Sequence, residues 1–300
     1  MACPTCKPAF LPSIYPYSFP TLNPSLASSP TTTELTAPSK LYSLVTGASK
    51  GIGRAFADAC AAEGRNLALV SLPGEDLAQV ADEIRMTNKV DVRFLEIDLS
   101  QADSAQKVFD WCQAEGLRVS LIVNNAGFGT VGSLLDSNLP MHFSMLHVNM
   151  LTPYMLIKLF LPSMTEIPNS GILNIASQAA LLPIPFKSTY SATKAFILFL
   201  SLSMEYELRG TNVHVGVVAP CGVPTNAAVR KRIASAGLAG RLTMVEAEDV
   251  ATYSLKCLKR RKRLIIPGIV NRISYFLSGM VPQALNMHFA ATQVRKDLRR

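Results

Sequence analysis

Seven short apolar runs, separated by amphipathic stretches, constrain what this chain can fold into more than any other feature. They read LYSLVTG, NLALVS, VRFLEID, VSLIVNN, GILNIAS, VHVGVVAP and RLIIPG, and all lie between Leu41 and Gly268. Runs that are apolar throughout, rather than alternating, suit strands buried on both faces. The stretches between them are long enough for crossover helices, which join parallel strands. The expected fold is α/β, a doubly wound parallel sheet of seven strands in one domain over residues 41–268.

The flanks differ from this body. Residues 1–40 hold eight of the nineteen prolines, many Ser and Thr, and only three charges, Lys7, Glu34 and Lys40. Such a segment cannot bury a core and reads as a disordered leader. It contains no Arg, which counts against an organelle import signal, and a start codon assigned too early would explain it equally well. Residues 269–300 read as a basic amphipathic tail. From Lys256 to Arg300 eleven Lys and Arg face one acid, Asp297, whereas the rest of the chain carries a balance of −2 within the overall +8. No nucleic-acid motif or aromatic-rich basic stretch accompanies that charge, so nucleic acid is not the expected partner.

Of six cysteines, only Cys3 and Cys6 have redox or metal spacing, and neither a second ligand pair nor a flanking strand and helix supports that use. No metal site is expected. No apolar run approaches the twenty or so residues that span a bilayer. A reducing, cytoplasmic setting is the default expectation.

The first apolar run leads straight into TGASKGIGRAFADACAAEG, with Gly47, Gly51 and Gly53 at the expected strand-to-helix turn. Small residues there let the backbone approach a pyrophosphate, and the next helix offers its N–H groups and positive end. The turn lacks the Gly-Lys-Ser/Thr ending of an ATP-type loop. About twenty residues past such glycines, NAD-binding folds place an acid for the ribose 2′-hydroxyl. Here that place is Ser71, and Lys50 in the turn can attract a 2′-phosphate. The reading is NADP(H) preferred, with NAD(H) allowed.

The stretch STYSATK places Tyr190 four residues before Lys194, one helical turn apart on the same face. An ammonium held there would lower the phenol's pKa from its free value of about 10.

Together these residues resemble the short-chain dehydrogenase/reductase family in its standard-length branch, similar to 3-oxoacyl and 17-beta-hydroxysteroid reductases. The resemblance implies a Rossmann-type fold. It rests on the glycine turn, with Ser49 and Ile52 inside it; on NNAG, with Asn125, Ala126 and Gly127; on Asp98 in EIDLS; on Asn149 in HVNM; and on Ser177, thirteen residues before Tyr190. It implies that Asn149, Ser177, Tyr190 and Lys194 are catalytic. Tyr190 would be the acid or base, Lys194 would also hold the nicotinamide ribose, and Asn149 would hold a water leading to Lys194. Asp98 would contact the adenine, and Pro220, Val223 and Thr225 the carboxamide. In PCGVPT, Cys221 stands where the family has Gly, which puts the local backbone geometry in doubt.

The substrate side is expected from Leu181, Leu182, Ile184 and Phe186 and from the segment after Thr225, an apolar wall suited to a fatty-acyl or steroid-like carbonyl. The tail suits an anionic membrane surface or a helical cap. The family implies dimers or tetramers. The alternative function is a non-catalytic NADP(H) sensor or a membrane-associated regulator on the same fold.

Overall fold

The computed structural model describes residues 40–225 and 242–298. The leader up to Ser39, the Cys3–Cys6 pair and nearly all of the segment after Thr225 lie outside the described residues.

Seven parallel strands form one sheet among the described residues: β1 Leu41–Thr46, β2 Asn66–Ser71, β3 Val92–Glu96, β4 Arg118–Asn124, β5 Ser170–Ile175, β6 Val213–Val218 and β7 Leu264–Ile265. Each coincides with one of the apolar runs, although β7 pairs over only two residues, Val217 with Leu264 and Val218 with Ile265. The spatial order is β3-β2-β1-β4-β5-β6-β7. The chain therefore winds outward from β1 and then returns to start again at β4. In open parallel sheets this reversal opens a crevice at the strands' carboxyl ends, where ligands bind.

The helices are α1 Gly51–Ala62, α2 Leu77–Thr87, α3 Ser104–Ala114, α4 Leu139–Leu146, α5 Thr152–Thr165, α6 Ser188–Glu207, α7 Ala247–Lys259, α8 Ile269–Ser278 and α9 Gln283–Leu298. They cover both sheet faces because each strand is apolar on both sides. On one face Val45, Leu67, Leu69 and Val123 pack against Phe56 and Cys60 of α1, Leu77 and Ile84 of α2 and Val250 of α7. On the other, Leu44, Ala68, Val70 and Ile122 pack against Val108 of α3, Leu156 and Phe160 of α5 and Met204 of α6. Burying a side chain of this size contributes about 1.5–3 kcal/mol each, so the two layers fix the sheet and the crevice above it.

Candidate active site

A cleft of about 1120 Å³ runs along the carboxyl ends of the strands. At one end lies the turn between β1 and α1. Gly47 and Gly51 adopt φ of +65° and +57°, a backbone that L side chains rarely take. Gly53 is required for a different reason: a Cβ there would stand 1.9 Å from the Gly47 carbonyl oxygen. The turn is tied to β4 through Thr46 and Asn125. The Asn125 amide donates to the Thr46 and Gly47 carbonyls at 2.9 and 3.1 Å, and the backbone N–H groups of Asn125 and Ala126 both donate to the Thr46 hydroxyl at 3.0 Å.

This end fits a dinucleotide's phosphates on its own geometry. Among the described residues the Lys50 side chain makes no cap bond at the start of α1 and no acid stands in its first turn, which leaves the first N–H groups and the positive helix end to an anion. Gly127, lower in the cleft, is likewise closed to a side chain, because a Cβ there would lie 2.9 Å from Asn149 Oδ1 and 3.2 Å from Lys194 Nζ.

The other end is built on α6 and the turn after β5. Tyr190 and Lys194 sit in the first two turns of α6, and the Lys194 ammonium lies 6.0 Å from the Tyr190 ring centroid. Lys194 is buried and donates to the Ile175 carbonyl at 2.9 Å. Burial lowers its pKa from 10.5 to about 8, since a charged ammonium loses hydration there. Ser177 follows β5 and caps a short 3-10 turn, its hydroxyl oxygen accepting from the Ala179 N–H at 3.1 Å. Its own proton can therefore point to a ligand. Gly129 passes against the phenol, where a Cβ would lie 2.5 Å from the ring.

Asn149 stands behind the cleft wall in one turn of π-helix, His147–Leu151. Such a bulge rotates a side chain out of the α-helical register. The Asn149 amide donates to the Phe128 carbonyl (2.9 Å) and the Thr193 hydroxyl (3.0 Å), while its oxygen accepts from the Phe128 N–H (3.1 Å). Its direct partners are thus the wall and α6.

The residues 42–235 match the family described as short chain dehydrogenase. The chain belongs to the short-chain dehydrogenase/reductase family. Among relatives, it is 32% identical over 202 residues to human very-long-chain 3-oxoacyl-CoA reductase, covering 63% of this chain and 62% of that protein. It is also 32% identical over 192 residues to mouse 17-beta-hydroxysteroid dehydrogenase type 3, covering 61% and 60%. The matched stretch thus spans about three fifths of the length of these curated relatives. A short-chain dehydrogenase/reductase from Burkholderia phymatum in complex with NAD superposes with a TM-score of 0.69 at 27% identity, covering 79% of this chain and 92% of that one. A short-chain dehydrogenase from Sphingobium yanoikuyae in complex with NADPH gives 0.67 at 26%, covering 81% and 97%.

Within this family member, most of the residues singled out from sequence meet in the one cleft. Gly47, Ser49, Lys50, Gly51, Ile52, Ser71, Asp98, Asn125, Ala126, Gly127, Ser177, Tyr190, Lys194, Pro220, Val223 and Thr225 all line it, whereas Gly53 and Asn149 act from behind its wall. The Asp98 carboxylate accepts from the Ser100 N–H at 2.9 Å, which holds its pKa below the usual range against its partial burial. Cys221 lines the cleft without a positive φ, and the Pro220 carbonyl beside it accepts from the Gln178 N–H at 3.0 Å. Position 221 itself thus needs no glycine.

Three expectations need correction. The absence of a carboxylate near Ser71 does not hold: Glu75, on the loop between β2 and α2, folds back and accepts from Ser71 at 2.9 Å and Ser49 at 2.6 Å. Lys50 is not a lone cation, since its ammonium meets the same carboxylate at 2.5 Å. On the substrate side, Leu182 and Ile184 line the cleft, but Leu181 packs beneath it against α6 and Phe186 stacks under Arg295 of α9, 5.4 Å from guanidinium to ring. Phe128, Val131 and Val148 take their place in the wall. They come from the loop after β4 and from the π-helical turn, beside the NNAG and HVNM motifs, whose patterns mark Asn125, Ala126, Gly127 and Asn149 but not these apolar neighbours.

Proposed function

We propose that this chain is an oxidoreductase that interconverts a carbonyl and a secondary alcohol on an apolar, fatty-acyl or steroid-like compound, with NADP(H) preferred over NAD(H) once Glu75 has left Ser49, Ser71 and Lys50. The observation that carries this reading is the continuity of one cleft from the glycine turn to the Tyr190–Lys194 pair. A bound nicotinamide supplies or accepts the hydride. Gly47, Ser49, Gly51, Ile52 and the start of α1 would hold its phosphates, Asp98 the adenine end, Pro220, Val223 and Thr225 the carboxamide, and Lys194 the ribose hydroxyls.

Tyr190 would give its proton to the substrate oxygen as hydride arrives, and would take it back in the oxidising direction. Ser177, its oxygen already committed to Ala179, would donate to that same oxygen where charge develops. Lys194 would favour the phenolate and pass on a proton through a water near Asn149. Phe128, Val131, Val148, Leu182 and Ile184 give the substrate end an apolar wall, in keeping with the acyl and steroid compounds that the relatives' names specify.

The tail supports a second element of the same reading, peripheral contact with an anionic membrane. Ile269, Ile273, Phe276 and Met280 recur at helical spacing on and just beyond α8 and are 68, 54, 71 and 72% exposed. The basic excess after Lys256 supplies the matching charge. No helix among the described residues is long and apolar enough to cross a membrane.

The test is to follow nicotinamide absorbance with a panel of steroid, 3-oxoacyl, aromatic and sugar carbonyls, beside Tyr190→Phe. Turnover of lipid-like ketones that vanishes in the variant is expected. Undiminished turnover by Tyr190→Phe would remove Tyr190 as the proton donor, and a preference for sugars would remove the apolar-substrate assignment.

A further inference from the structure

The hydrogen-bond pattern around Glu75 is that of an anion site that already holds an anion. Ser49 and Ser71 hydroxyls and the Lys50 ammonium converge on one carboxylate at 2.6, 2.9 and 2.5 Å, and the two hydroxyl oxygens lie 2.8 Å apart. Partial burial raises the Glu75 pKa, but the bonds from Lys50, Ser49 and Ser71 outweigh it and hold the group below the usual carboxylate range. The carboxylate is therefore charged at neutral pH. Ser71 ends β2, the position from which this kind of fold reads the adenosine ribose 2′ substituent. Two hydroxyls and an ammonium suit a phosphate at least as well as a carboxylate.

We propose that Glu75 is an internal stand-in for the 2′-phosphate: it fills the site for that phosphate and must be displaced before a 2′-phosphorylated dinucleotide can bind, so that it sets the ratio of NADP(H) to NAD(H) affinity. This rests on the reading of the cleft as a dinucleotide site. The loop provides for the displacement. Glu75 follows Gly74, which sits at φ +79° with no atom within 4 Å of where a Cβ would be. The same carboxylate also borders an adjoining hollow of about 450 Å³, lined farther out by Arg54 and Gln79 together with the acids Asp76 and Glu83. Rotated there, the side chain would release Ser49, Ser71 and Lys50 to the phosphate and leave the like charge farther away. A ribose 2′-hydroxyl carries no charge and requires no such exchange.

The experiment is isothermal titration of the full chain with adenosine 2′,5′-bisphosphate and with adenosine 5′-monophosphate, for wild type, Glu75→Gln and Lys50→Gln. The glutamine keeps the shape of Glu75 and removes its charge. Repulsion between unit charges at contact distance converts to a change of at least about fivefold, the value at water's dielectric, and more near a protein surface. Glu75→Gln should tighten the bisphosphate by about that factor while the monophosphate changes less than about threefold, and Lys50→Gln should weaken the bisphosphate alone. Equal bisphosphate affinity in wild type and Glu75→Gln overturns the proposal, as does a loss of monophosphate affinity, which would make Glu75 the acid that binds the ribose hydroxyl. The outcome is separate from the proposed reaction. A tighter bisphosphate without ketone reduction keeps this inference and removes that reading, and ketone reduction with unchanged affinities does the reverse.

Discussion

The Lys194 ammonium donates to the Ile175 carbonyl at 2.9 Å from a position closed to solvent. That bond fixes the lysine between the last residue of β5 and the first turns of α6, where Ser177 and Tyr190 also emerge. It satisfies one of three ammonium donors. The charge remains costly, which is why the pKa falls from 10.5 to about 8.

A stability prediction follows with a definite sign. A lysine whose folded pKa lies below its unfolded value binds its proton more weakly in the native state. The native state thus bears the full penalty below pH 8 and sheds it as pH rises from 8 to 10.5. The shift corresponds to about 3 kcal/mol at most. Denaturant unfolding between pH 7 and 10.5 should show wild type gaining stability relative to Lys194→Met. Lys194→Met should be the more stable protein at pH 7, and a constant difference across this range would refute the account.

Asn149 bridges two elements that carry cleft residues. Replacing it with Ala leaves the Phe128 N–H and carbonyl and the Thr193 hydroxyl short of partners, at a cost of about 1–3 kcal/mol. The wall at Phe128 loses its tie, so turnover should fall further than the affinity for adenosine fragments, which bind at the other end. Calorimetric affinities set beside steady-state rates would separate the two effects, and an equal loss of both would point to general unfolding.

Two glycines, Gly53 in the first turn of α1 and Gly64 just past its end, test how the turn works. Gly53→Ala places a methyl group 1.9 Å from the Gly47 oxygen, so the turn must open, with a loss of about 1–3 kcal/mol or more and of adenosine-fragment binding. Gly64→Ala, at φ +75° with open space around it, meets only the left-handed backbone cost of about 1–2 kcal/mol. Its binding should be unchanged. Similar binding by the two variants would contradict the close-approach role of Gly53.

The sheet was legible from sequence because six of its seven strands are largely buried on both faces, which writes burial into the residues as apolar runs, whereas the edge strand β3 keeps exposed Arg93 and Glu96. The meeting of the glycine turn with Ser177 and Tyr190 in one cleft was legible because these lie at strand ends or in a first helical turn at fixed spacing, with Lys194 one turn farther along α6. Glu75 was not, since it reaches Ser49 and Ser71 by a loop reversal that no periodicity encodes. Phe186 misled for a related reason. At φ +65° its backbone turns the ring toward Arg295 of α9 and away from the cleft, a direction that apolar character alone does not specify.

The face of α8 yields the last prediction. Ile273 and Phe276 are more than half exposed and sit within one turn of each other, and Arg272 beside them stacks over Tyr253 at 5.6 Å, which anchors the helix to α7. Burying two such side chains in an interface contributes about 1.5–3 kcal/mol each, and juxtaposed cations add attraction to anionic lipid that salt screens. Wild type should float with phosphatidylserine vesicles at low salt, less so at high salt, and poorly with neutral vesicles. Ile273→Glu with Phe276→Glu should reduce flotation at least about tenfold and leave ketone reduction of a water-soluble substrate intact, because neither residue lines the cleft. A wild-type protein that remains at the bottom of the gradient with anionic vesicles would refute the membrane assignment and leave the apolar face of α8 to another occupant.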